Sequence, residues 1–150
     1  MLNPRHVLPT PEDRVKRLRG YIFGRPFLGE RVPQHVQNIV LRDYARRREL
    51  TLLLSASEYA MPGSRLILET VCGELPRVDG ILAYSVFQLP EDGVQRDSVL
   101  DRVVSQGKEI HFAVEDIVVN SSETAAAVEL LWRVRLALES VPPEMEFLIG

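Results

Sequence analysis

Apolar residues fall along this chain in short blocks separated by helical stripes. Leu18 to Phe23 is a compact apolar run ending at Gly24, and it predicts a first strand. Gly24 to Val32, with two glycines and Pro26, reads as a loop. Pro33 suits the first position of a helix, where its missing N–H costs nothing. Val36, Ile39, Val40 and Tyr44 then recur at helical spacing. Thr51 to Leu54 predicts a second buried strand, and Ser55 to Pro62 a loop. Ser64 is placed to cap the next helix, with Leu68, Val71, Cys72 and Leu75 along its inner face. Val78 to Tyr84 predicts a third strand, broken off by Pro90 to Gly93. Val99, Leu100, Val103 and Val104 mark a third helix closed by Gly107. Ile110 to Val114 predicts a fourth strand. Asn120 with Glu123 has the form of a capping box. The long helix behind it carries Ala127, Leu130, Leu131, Val134 and Leu138 as its apolar stripe, and Pro142 ends it. Glu144 to Ile149 suits a small extra strand or a docking tail.

Strand and helix alternate four times. Continuous apolar strands joined by helices predict an α/β fold: a three-layer, open parallel sheet of four to five strands with helices on both faces. Residues 1–17, with Pro4, Pro9 and Pro11, are expected to form an N-terminal arm, and residues 18–150 a single domain.

Composition narrows the function. The net charge of −3 argues against nucleic acid, because neutralising phosphates needs surplus Lys and Arg. The clusters Arg14, Lys16, Arg17, Arg19 and Arg42, Arg46, Arg47, Arg48 read as solvated surface. The single cysteine, Cys72, excludes an intrachain disulfide and a thiolate metal cluster, and its apolar neighbours predict a buried thiol. No apolar run is long enough to span a membrane, and the N-terminus lacks a signal-peptide core, so a cytoplasmic location is expected. No metal-ligand spacing and no cofactor motif is present.

In an open parallel sheet, ligands bind beyond the carboxyl ends of the strands. The first exit is the richest. Arg25 and Arg31 bracket a glycine-containing loop, and the helix after it has no Ser, Thr, Asp or Asn at its start, which leaves its first N–H groups open to an anion. Gln34 adds a donor. His35 lies at the same junction and suits proton transfer near neutrality. Glu58 and Glu115, expected at neighbouring exits, are candidates to divide acid and base roles. Tyr59, Tyr84 and Ser85 are placed to hydrogen-bond hydroxyls. His111, inside the fourth strand, reads as a packed group, and His6 lies in the arm.

The run from Arg19 to Asn38, RGYIFGRPFLGERVPQHVQN, resembles the signature of proteins named for sporadic carbohydrate clusters. The segments SASEYAM, DGILAYSVFQLPED and EIHFAVED are similar to theirs. The resemblance implies work on surface sugars or sugar-containing metabolites. The layout also resembles, more remotely, the catalytic domain of resolvase-type serine recombinases, with Gly20 and Tyr21 at the start of that pattern. Where that family has Tyr-x-Arg-x-Ser, this chain has Phe23 in the arginine position and Arg25 in place of the nucleophilic serine. Gln88 stands where an arginine is expected. The resemblance therefore implies a resolvase-like fold without recombination.

Two functions follow as expectations. One is a biosynthetic enzyme acting on a phosphorylated or otherwise anionic sugar-derived small molecule, with Arg25, Arg31 and Gln34 gripping the anion. The other is a non-catalytic binding or regulatory module. DNA binding through the basic clusters ranks below both. Trp132 and Leu136 fall off the main stripe of the last helix and predict an exposed apolar face, hence a homodimer.

Overall fold

A computed structural model describes residues 14–140. Its five strands are β1 (Arg17–Phe23), β2 (Thr51–Glu58), β3 (Gly80–Ala83), β4 (Glu109–Phe112) and β5 (Ile117–Val119). Its helices are α1 (Gln34–Arg47), α2 (Leu66–Gly73), α3 (Gly93–Ser105) and α4 (Ser122–Glu139). The sheet order is β2-β1-β3-β4-β5. The first four strands are parallel, as the alternation of strands and helices requires. Of the arm expected in residues 1–17, residues 1–13 lie outside the described residues, as does the segment 144–149, and Arg17 already belongs to β1, one residue before the expected start of the domain.

The fifth strand is not where an extra strand was expected. Ile117 to Val119 turns back antiparallel on β4, pairing Ile110 with Val119 and Phe112 with Ile117. Three residues are too few to show a period, so it left no pattern in the sequence. Asp116, with φ of 57°, makes the reversal. β2 also differs. It runs on to Glu58 and forms the sheet edge instead of a buried strand. Its register against β1 slips between Arg19 and Tyr21, and Leu54 at that bulge is 82% exposed.

One helix covers one face. Leu18, Ile22 and Leu82 pack there against Leu41, Tyr44 and Ala45 of α1. Its buried stripe also includes Gln37, while Ile39 points out, so α1 sits rotated from the purely apolar expectation. Pro33 is the residue before the first turn, and Gln34 begins the helix.

The other face carries α2, α3 and α4 over Tyr21, Phe23, Ile81 and Phe112. Leu68, Val71, Cys72 and Leu75 are all buried as their spacing predicts, and Leu75 lies in a 3-10 turn just after α2. The cap of α4 is a Ser121–Thr124 box, one residue on from the expected start. Trp132 corrects the reading of α4 more deeply. It is fully buried, donates from Nε1 to the Val86 carbonyl at 3.0 Å, and meets the Phe87 ring edge-on. Arg96, also buried, stacks on it at 4.4 Å and pairs with Glu129 through two guanidinium nitrogens at 2.6 and 3.0 Å. Burying Val128 and Trp132 turns Leu130, Val134 and Leu138 outward. No helix among the described residues is long and apolar enough to cross a membrane.

Candidate functional site

The chain leaves β1 at Phe23 and turns through Gly24 into Arg25. The Arg25 guanidinium lies 4.3 Å above the Phe23 ring. It donates to the Tyr59 carbonyl at 2.8 Å and the Ser64 carbonyl at 3.0 Å, tying the β2–α2 loop to the end of β1. Arg65, from that loop, packs on the same ring at 5.4 Å and reaches the carbonyls of Gln88 and Leu89, both at 3.4 Å. Two guanidiniums thus share one aromatic ring. Burial, then the neighbouring Arg65 charge, lowers the pKa of Arg25, opposed by Tyr21, Glu58 and Glu91.

These groups line a cavity of about 450 Å³ on the α2–α3 side of the strand ends. Phe23, Phe27 and Phe87 contribute apolar surface, Arg25 and Arg65 positive charge, and Glu91, Asp92 and Gln95 polar surface at the entry to α3. Asp92 is already engaged, accepting from the Val94 and Gln95 amides at 2.8 and 3.1 Å.

The other residues expected at this edge lie around the cavity and do not line it. Glu58 is buried and caps α2 from a distance in sequence. Its Oε1 accepts from the Tyr21 hydroxyl at 2.9 Å and the Leu68 amide at 3.1 Å. Its Oε2 accepts from the Tyr59 amide, the Ser64 hydroxyl and the Ile67 amide between 3.0 and 3.2 Å. Burial works to raise its pKa, but the amides and the hydroxyl outweigh it and hold the carboxyl below the usual range. Ser64, the expected cap, instead donates to Glu58. Burial and the Glu58 carboxylate push the Tyr21 phenol well up.

Glu115 does the same work one strand over. It accepts from the Ser85 hydroxyl at 2.7 Å and the Val86 amide at 2.8 Å, holding the 3-10 turn after β3. Tyr84 sets its ring edge against Phe27, and burial raises its pKa. Tyr59 offers its carbonyl to Arg25 and leaves its ring half-exposed. Gln34 accepts from Ser57 at 2.8 Å. Arg31 and His35 are exposed, and neither lines the cavity. The structure thus brings Arg25 together with Arg65, a residue the sequence reading did not single out. Its signal was available: a cation closing the loop after the second strand exit. Burial pushes the Cys72 thiol up to about 11.

Gln88 is fully buried, and its side-chain amide donates to Gln37 Oε1 at 2.9 Å. Gln88 is therefore part of a neutral core contact.

No protein-family model matches the chain, and no curated protein matches it. The resemblance of residues 19–38 to the sporadic carbohydrate cluster proteins therefore gains no support from either. Solved structures do match. The N-terminal catalytic domain of TP901-1 integrase aligns over 88% of this chain and 98% of its own, with TM-score 0.53 and 16% identity. A resolvase family site-specific recombinase from Streptococcus pneumoniae aligns over 88% and 96%, with TM-score 0.55 and 13% identity. The architecture, a five-stranded and mostly parallel sheet between one helix and three, is that of resolvase-like catalytic domains.

Proposed function

We propose that this chain is a non-catalytic binding module on a recombinase-like fold, holding a small anionic ligand in the Arg25–Arg65 cavity. One observation carries the reading. Arg25 is anchored on two backbone carbonyls beside a second guanidinium, while Glu58 and Glu115 spend their oxygens on backbone amides and hydroxyls. Such an edge presents positive charge without a ready nucleophile or proton carrier.

A phosphate or carboxylate group on a small, sugar-derived molecule suits two guanidiniums over an aromatic ring. The expectation of a biosynthetic enzyme acting on such a molecule stands as the competing reading. Incubating the purified full chain with sugar phosphates and nucleotide sugars separates the two. The module binds saturably and leaves the ligand unchanged, and Arg25→Ala loses the binding with the fold intact. Turnover by the chain alone would restore the enzyme.

Nucleic acid is not the ligand we propose. The basic clusters are largely paired within the fold: Arg14 with Asp79, Arg19 with Glu74, Arg46 and Arg47 with Asp43, Arg48 with Asp116. A second copy is the partner we propose for α4, whose Leu130, Val134 and Leu138 are 62, 50 and 50% exposed along one ridge.

A further inference from the structure

The two edges of the sheet differ in what they offer another chain. β5, at one edge, has three residues and is too short to pair with more backbone. β2, at the other, has eight. Proteins commonly blunt a long edge with charge or proline. The stretch from Thr51 to Ser57 carries neither.

The open groups of this edge can be named. The Thr51 amide donates to the Lys16 carbonyl at 2.9 Å, so Thr51 faces β1. Successive residues of a strand turn their N–H and C=O to opposite sides, so Leu52 and Leu54 turn theirs away from the sheet. No loop or turn contact among the described residues takes up either N–H. At the bulge the Arg19 guanidinium donates to the Leu54 carbonyl, which closes the open stretch there. The Leu52 N–H and C=O and the Leu54 N–H remain for a further strand.

Beside them lies a groove of about 350 Å³ between β2 and α1, walled by Leu52 and Leu54 on one side and by Asn38 and Arg42 on the other. It has room for side chains of an added strand. Leu54 stands 82% exposed on its wall. Arg42 makes one long hydrogen bond, 3.4 Å to the Asn38 carbonyl, and among the described residues meets no carboxylate. Its neighbours Arg46, Arg47 and Arg48 each do. A strand seated here therefore meets an apolar contact and an uncompensated positive charge on the same side of the sheet.

We infer that the β2 edge is a docking site for an extended segment of a partner protein, which adds as a further strand and sets an acidic side chain against Arg42 and an apolar one against Leu54. Backbone pairing holds the segment, and the groove selects its side chains. The site shares no residue with the Arg25–Arg65 cavity and does not depend on it.

The test mixes the full chain with a short acetylated peptide of alternating valine and glutamate, and with a valine–lysine peptide as control. Amide shifts and amide hydrogen exchange are followed residue by residue. The expected result is saturable shifts centred on Leu52, Leu54 and Arg42, slowed exchange at the Leu52 and Leu54 amides, and tighter binding of the glutamate peptide. Arg42→Glu, at an exposed position, weakens that peptide about tenfold and reverses the order of the two. Leu54→Asp removes the apolar contact, sets like charge against the glutamate peptide and abolishes its binding, whereas Arg25→Ala leaves it unchanged. The absence of a saturable shift, shifts without slowed exchange at Leu52 and Leu54, or equal binding of the two peptides would overturn the site. So would protection of those amides in the peptide-free chain that fades on dilution, since a second copy would then hold the edge. Nuclear Overhauser contacts from residues 1–13 or 141–150 to Leu54 in the peptide-free chain would overturn it as well, since the chain would then cover its own edge.

Discussion

The side-chain amide of Gln37 pairs with the backbone of Phe23 as a neighbouring strand would. Its Nε2 donates to the Phe23 carbonyl at 2.9 Å, and its Oε1 accepts from the Phe23 amide at 3.0 Å. The same amide donates to the Val32 carbonyl at 2.8 Å and accepts from Gln88. One polar side chain on α1 thus completes the end of β1 just where the chain turns into Arg25. Gln37→Leu matches the volume and leaves these groups buried and unpaired. Each costs about 1–3 kcal/mol, so urea unfolding should show a loss of at least about 3 kcal/mol. A loss within experimental error would mean that water takes over the pairing.

Glu58 ties stability to pH. Its folded pKa lies below the unfolded value of 4.5. The ionised carboxylate is therefore the form the fold prefers. Its contribution is complete above pH 4.5 and is lost as pH falls through the lower folded value. Glu58→Gln cannot accept at both oxygens, and should cost about 1–3 kcal/mol at pH 7. The difference between the two proteins should shrink at acid pH. A constant difference across the range would contradict the capping role.

Two glycines make opposite predictions. A Cβ at Gly80 would collide with the Glu109 carbonyl oxygen and lie 3.0 Å from its carbonyl carbon. Both are backbone atoms of the paired strand β4, so Gly80→Ala must part β3 from β4 and should prevent folding or cost several kcal/mol, on the order of 3 or more. Gly73, at the end of α2, meets nothing within 4 Å. Gly73→Ala should be neutral or stabilise by about 0.5–1 kcal/mol. Thermal melts of both variants check the pair, and a reversed order would contradict the described packing.

The apolar pattern made most of this fold legible. Leu18 to Phe23, the stripe Leu68, Val71, Cys72 and Leu75, and Val99, Leu100 and Val103 of the third helix all lie where spacing placed them, because burial there follows apolarity, with Arg96 on the third helix the buried exception. The pattern failed where a polar group was buried or both helix faces were apolar. Gln37 takes an inward position that only the unpaired Phe23 backbone explains. On α4 both faces are apolar, and the choice fell to Trp132, whose N–H needs the Val86 carbonyl. Strand-exit logic placed Arg25, Glu58 and Glu115 at the carboxyl edge of the sheet, and of these three Arg25 alone lines the cavity. It did not show that both carboxylates face backbone amides, because those amides come from other segments brought near only by the fold.

The outward ridge of α4 gives the proposed dimer its test. Val134→Lys places a charge at its centre without touching the core. Light scattering should find the unaltered chain dimeric and the variant a 17.0 kDa monomer with an unchanged circular dichroism spectrum. A monomer in both cases would remove the second copy as the partner of this face.

That the Arg25–Arg65 cavity would hold an anion and leave it chemically unchanged is tested by one NMR titration of the full chain with glucose 1-phosphate, recording the protein amides and the ligand phosphorus together. The expected result is saturable shifts of amides around Gly24, Gly63 and Phe87, absent in Arg25→Ala, with no new phosphorus resonance over time. A new phosphorus resonance, or unchanged amides at saturating ligand, would contradict it.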